Sequence, residues 1–109
     1  MAYDENLAER LRDAFASESD VVEKKMFGGL AFMVRGHMTC GIAGDALMVR
    51  VGPDGHAAAL RRPHARPMDF TGKPIRGLVL VDPDGWVGES DLAGWVATAL
   101  AFTKGLPRK

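Results

Sequence analysis

The chain has 109 residues, 47% of them hydrophobic, and its 14 Lys and Arg balance 14 Asp and Glu. That length supports one domain with a two-layer core, and zero net charge excludes a global field drawing the protein to nucleic acid or anionic lipid. A single cysteine excludes an internal disulfide. The start at Tyr3-Asp4-Glu5 lacks the basic and apolar regions of a signal peptide, and the longest apolar run, Leu92 to Phe102, is short of the ~20 residues a membrane span needs. A single cytoplasmic domain over 1–109, with no membrane association, is the expectation.

In chain order, Asp4 is placed to cap a helix whose apolar positions Leu7, Leu11, Ala14 and Phe15 form one stripe, with Glu5 and Glu9 near its positive end. Ser17 to Asp20 breaks it, and Val21 to Lys25 leads through Phe27-Gly28-Gly29 into a sheet. The glycine pair reads as a backbone joint or bulge, because a phosphate cradle opens onto a helix and here a strand follows. Three strands of a meander come next: Leu30, Phe32, Val34, then Met38, Cys40, Ile42, then Leu47, Val49, Val51 alternate onto one face. A two-residue turn at Gly44-Asp45 sets Ala43 opposite Ala46 and Ile42 beside Leu47. The same rule applied at Gly36-His37 would split the apolar set, so a three-residue loop or a bulge is expected around Arg35-Gly36-His37.

Beyond Val51, Gly52-Pro53-Asp54 opens a short helix to about Leu60. Arg61 to Pro67 is a basic, proline-bounded loop, Met68-Asp69-Phe70 a short edge strand, and Gly77 to Val81 the last strand. Ser90 or Asp91 is placed to cap a closing helix with Leu92, Trp95, Val96, Ala99 and Leu100 on its stripe, and Gly105 suits a left-handed stop. The expected fold is α+β and two-layered: an antiparallel sheet of about five strands with helices on one face, in the order α-β-β-β-α-β-β-α. The other sheet face carries Ala31, Met33, Gly41, Ala43, Ala46 and Met48, with charges only at Arg35 and Arg50. A solvated face would alternate in more polar residues. Met33 and Met48 therefore mark a surface for a second copy of the chain or another protein, since methionine among small residues makes an adaptable contact.

The segments KKMFGGLAFMVRGHMTCGI, DALMVRVGP and RPHARPMDFTGKPIRG, from about Lys24 to Val81, together resemble the amino-terminal domain of the TfoX/Sxy family, bacterial regulators linked to natural competence. The resemblance implies a compact α+β domain that acts without a catalytic cofactor, as a regulatory protein-interaction module for which a transcription-related protein partner, of unknown identity, is the expectation. Two-domain family members carry a further helix-hairpin-helix-like domain; this chain ends at Lys109 without room for it, so it is expected to stand alone. Met26, Phe27, Gly28, Gly29, Gly41, Arg50, Arg66, Pro67, Met68, Phe70 and Gly72 fall on the motif positions.

Other chemistry is sparse. Cys40 sits in phase with the apolar alternation, as a core residue does, whereas a nucleophile needs a neighbouring base. His37, His56 and His64 show no spacing that pairs two on one face, and read as exposed loop residues without a metal. Arg50, Arg61, Arg62, Arg66, Lys73 and Arg76 lie in a span whose acids are Asp54 and Asp69. They suit phosphate or an acidic surface, yet no stacking aromatics are interleaved, so nucleic acid is not expected as a partner. A non-enzymatic interaction module is the first reading. The alternatives are a small ligand-binding or enzymatic domain using the open sheet face with Arg50 and Cys40 near a pocket, or a nucleic-acid-binding domain using the Arg61 to Arg66 loop.

Overall fold

The structure is a computed structural model and describes residues 3–26, 28–68 and 75–107. Helix α1, Glu5–Ala14, starts where the Asp4 side chain accepts a hydrogen bond from the Leu7 amide at 3.0 Å, a cap that contributes about 1 kcal/mol. Strands β1 (Val21–Met26), β2 (Gly29–Val34), β3 (His37–Ala43) and β4 (Ala46–Arg50) follow. After them come helix α2 (His56–Leu60), strands β5 (Ala65–Pro67) and β6 (Leu78–Val81), a 3-10 turn at Pro83–Gly85, and helix α3 (Glu89–Thr103). Among the described residues the sheet is antiparallel with six strands in the order β1-β2-β3-β4-β6-β5.

The architecture is the expected α+β, with one strand more than the sequence suggests. The extra strand is β1, the stretch read as a lead-in. Its partner-facing register runs from Val21 opposite Val34 to Met26 opposite Gly29. The short edge strand forms at Ala65–Pro67, earlier than expected, and Pro67 fits there because an edge position leaves its missing amide unneeded. Phe27, Asp69, Phe70 and the turn at 71–74 lie outside the described residues.

The turn at Gly44 and Asp45 is as anticipated: Gly44 has φ +63° and Ala43 pairs with Ala46. The β2–β3 turn differs from expectation in its position. Arg35 and Gly36 are its two central residues, both with positive φ (56° and 85°), and Val34 pairs with His37. The bulge lies further on, at Thr39, because Met33 faces Met38 while Phe32 faces Cys40. One consequence is a correction. Met38, assigned by alternation to the core face, lies on the opposite face, and His37 and Thr39 take up the core side in its place.

On the core side, Leu30, Phe32, Val34, Cys40, Ile42, Leu47, Val49, Val79 and Val81 pack with Leu7, Leu11 and Phe15 of the α1 region, Ala59 of α2, and Leu92, Trp95, Val96 and Ala99 of α3. All three helices thus share one face of the sheet. The Phe15 and Phe32 rings stack at 5.5 Å, and Trp86 donates from its indole nitrogen to the Asp45 carbonyl at 3.0 Å. Helix α3 starts from Gly88 with no side-chain cap, rather than from Ser90 or Asp91. Its end also differs: Gly105 keeps a negative φ, and its amide closes a tight turn onto the Phe102 carbonyl at 3.2 Å.

Two glycines are demanded by close backbone approach. A Cβ on Gly29 would fall on the Ile42 carbonyl, and one on Gly41 would stand 2.7 Å from the Leu30 carbonyl oxygen. Gly29→Ala and Gly41→Ala are each expected to lose about 2–3 kcal/mol in denaturant unfolding, the upper part of the range for overpacked sites. Gly28→Ala, with open space around its Cβ but φ +72°, should lose about 1 kcal/mol. Equal losses at all three positions would contradict the assignment of the first two to steric contact.

Candidate functional site

The second sheet face divides into two zones. Over β4 and β6, Ala46, Met48, Met68 and Leu80 are buried together, with Met38, Ala43, Ile75 and Leu78 packed against them. Met68 and Ile75 are the two ends of the β5–β6 connection, and the Ile75 amide donates to the Met68 carbonyl at 3.0 Å. Met48 is therefore covered by the chain's own residues. Over β1 to β3 the register lines up Val22, Met33 and Met38 across three strands, and here Val22 is 58% exposed while Met33 and Met38 are half-buried.

A cavity of about 420 Å³ adjoins this face. Its apolar lining comes from Met26, Met38, Ile75, Leu78 and Phe102, and its cationic lining from Arg50 and Arg76. The backbone at Gly52, Pro53 and Gly77 completes it. Val51 and Gly52 both donate to the Gly77 carbonyl, at 2.8 and 3.1 Å, and the Gly77 amide donates to His56 Nδ1 at 3.0 Å. Arg50 stands over the Phe102 ring, 5.4 Å from its centre, and among the described residues its side chain reaches the Met38 carbonyl alone, at 3.5 Å.

The other arginines of the basic span go elsewhere. Arg62 lies 3.4 Å from the centre of the Trp95 ring and donates to Thr98 Oγ1 at 3.2 Å. Burial lowers its pKa, and Asp91 opposes the shift. Arg66 pairs with Asp82 at 3.0 Å. Arg61 is exposed. The loop therefore leaves Arg61 and the Asp82-paired Arg66 at the surface and folds Arg62 back onto Trp95. On the opposite sheet edge, Arg12 grips Glu23 with a two-pronged contact at 2.7 and 2.9 Å and also meets Glu9. That fork holds the Glu23 carboxyl below the usual carboxylate range.

Of the three histidines, only His64 is an exposed loop residue. His37 is buried in β3, with Nε2 2.6 Å from the Pro107 carbonyl, and His56 is tied to the Gly77 amide. Sequence reasoning placed Arg50 near a pocket but did not assemble this cavity, because its residues from β1, β3, β4, β6 and α3 meet only in the fold. Arg50 was the one signal that pointed to it. Cys40, named beside Arg50 as a reactive candidate, is fully buried on the other side of the sheet, and burial pushes its thiol up to about 12. A thiolate is not accessible to it near neutrality.

Residues 13–103 match the family model described as the TfoX N-terminal domain. Among curated proteins, none matches the chain.

Cys40→Ala is expected to cost about 1 kcal/mol, the loss of a small buried side chain. Cys40 also gives a pH signature. The unfolded thiol ionises near pH 8.5 and the folded one only near 12. Above pH ~8.5 the unfolded state binds fewer protons, so this residue's contribution to stability is present below that pH and falls by about 1.4 kcal/mol per pH unit towards 12. The stabilities of wild type and Cys40→Ala should meet within about one pH unit above 8.5 and then cross, with wild type the less stable at higher pH. A constant gap between them, or rapid labelling of the folded thiol by an aromatic disulfide reagent, would contradict the burial argument.

Proposed function

We propose, from the premise that this chain belongs to the TfoX N-terminal domain family, that it is a non-enzymatic regulatory module that works by binding another protein. One observation carries the reading: the row Val22, Met33 and Met38 crosses the outer half of the second sheet face and ends at an edge strand, β1, whose far side pairs with no strand among the described residues. A large aliphatic side chain that is 58% exposed beside two half-buried methionines is an adaptable apolar contact. A row of free backbone groups next to it is what an added strand recognises. Glu23, Lys24 and Lys25 in the same strand are the charges an exposed edge carries against unselective pairing.

The burial of Met48 moves the interaction surface away from the centre of the sheet and towards β1. The competence link and a transcription-related partner follow from the family likeness, and belong to this proposal. The test is a photo-crosslinking residue placed at Val22 in living cells. A discrete adduct with another protein, lost on Met33→Glu and kept on the distant Val87→Glu, is the expected result. An adduct only with a second copy of the chain would make the row a homodimer contact, and no adduct at all would remove the surface from consideration.

A further inference from the structure

We propose that the cavity between Arg50 and Arg76 is a binding site for a small organic acid with an apolar tail. The first argument is charge. Among the described residues its lining holds two guanidinium groups and no carboxylate. Arg12 and Arg66 have carboxylate partners and Arg62 has an aromatic ring and a hydroxyl, whereas Arg50 and Arg76 both line the cavity with no anionic partner among the described residues. Arg50 has five N–H donors and among the described residues uses one, at 3.5 Å, the outer limit of a hydrogen bond. A half-buried guanidinium resting on an aromatic ring and left with open donors favours a planar oxyanion, which accepts two parallel N–H bonds from its fork.

The second argument is what the rest of the lining withholds. The amides of Gly52 and Gly77 are already committed to the Gly77 carbonyl and to His56. These two amides therefore add no nest for a phosphate, and the anion is read by the arginines. Met26, Met38, Ile75, Leu78 and Phe102 supply an apolar wall. Such a wall favours an aliphatic or aromatic body over a strongly hydrated inorganic ion. A volume of about 420 Å³ lies in the range of small-molecule sites and holds on the order of ten to twenty non-hydrogen atoms.

This site is separate from the surface proposed for a protein partner, although Met38 borders both. Calorimetric titration with octanoate, acetate and octanol tests it. Saturable one-to-one binding of octanoate is expected, with acetate and octanol at least tenfold weaker, since each lacks one of the two features the cavity reads. Arg50→Gln should weaken octanoate at least tenfold. Arg76→Gln, at an exposed position that does not threaten folding, should weaken it about threefold, while Val22→Glu leaves it unchanged. Octanol binding as tightly as octanoate, octanoate failing to bind, or the Arg50→Gln/Arg76→Gln double variant binding like wild type would each overturn the proposal. Loss of the Val22 cross-link with octanoate binding intact would overturn only the protein-interaction reading.

Discussion

The fold depends on one irregularity, the bulge at Thr39. A strand alternates its side chains with period two, so a two-residue turn at Arg35 and Gly36 in a regular ladder would place Phe32 opposite Thr39 and Leu30 opposite Gly41. Half of the apolar set would then face away from the helices. One unpaired residue in β3 restores Phe32 to Cys40 and Leu30 to Ile42, and the helix-facing side becomes continuous from β2 to β6. The polar group the bulge drives into the core is satisfied there. The Thr39 hydroxyl meets Thr103 Oγ1 at 3.1 Å, and Thr103 donates to the Ala99 carbonyl at 3.1 Å. A buried hydroxyl without a partner would cost about 1–3 kcal/mol. The end of α3 is thereby fixed to the middle of the sheet, and Phe102, one residue earlier, is brought against Arg50.

What was readable in the sequence was what local chemistry decides. The Asp4 cap, the stripes of α1 and α3, and the register through Gly44 and Asp45 each rest on a few neighbouring residues, and each stands in the structure. The misreadings occur where a distant partner decides. Strand β1 puts Glu23 on the helix side, which breaks the apolar alternation, and only Arg12 of α1 accounts for it. Met38 and Thr39 exchange roles because the bulge sits two residues past the turn, and no residue type at that point announces it. His37 is buried because Pro107, far along the chain, offers it a carbonyl.

The motif positions divide by physical role. Gly29 and Gly41 are places where a neighbouring strand leaves no room for a side chain, and Met68 is a buried member of the second-face cluster. Arg66 ties the edge strand β5 to the residue after β6. These residues maintain the sheet, and a sequence pattern built on them reports a fold first. Met26 and Arg50 are different, because both line the cavity.

The net charge of zero hides how unevenly the protein uses its charges. Glu9 of α1 and Glu23 of β1 are matched to Arg12, and Asp82 is matched to Arg66, so part of the balance is settled inside local pairs at the surface. Exposed pairs of this kind contribute little to stability. What they do is remove some charges from the surface field, while Arg50 and Arg76 stand as a local positive pair against an apolar wall. A composition that excludes attraction to any large polyanion is compatible with recognition of a single small one. The attraction that matters there acts over a few ångströms, well within the Debye length at physiological salt.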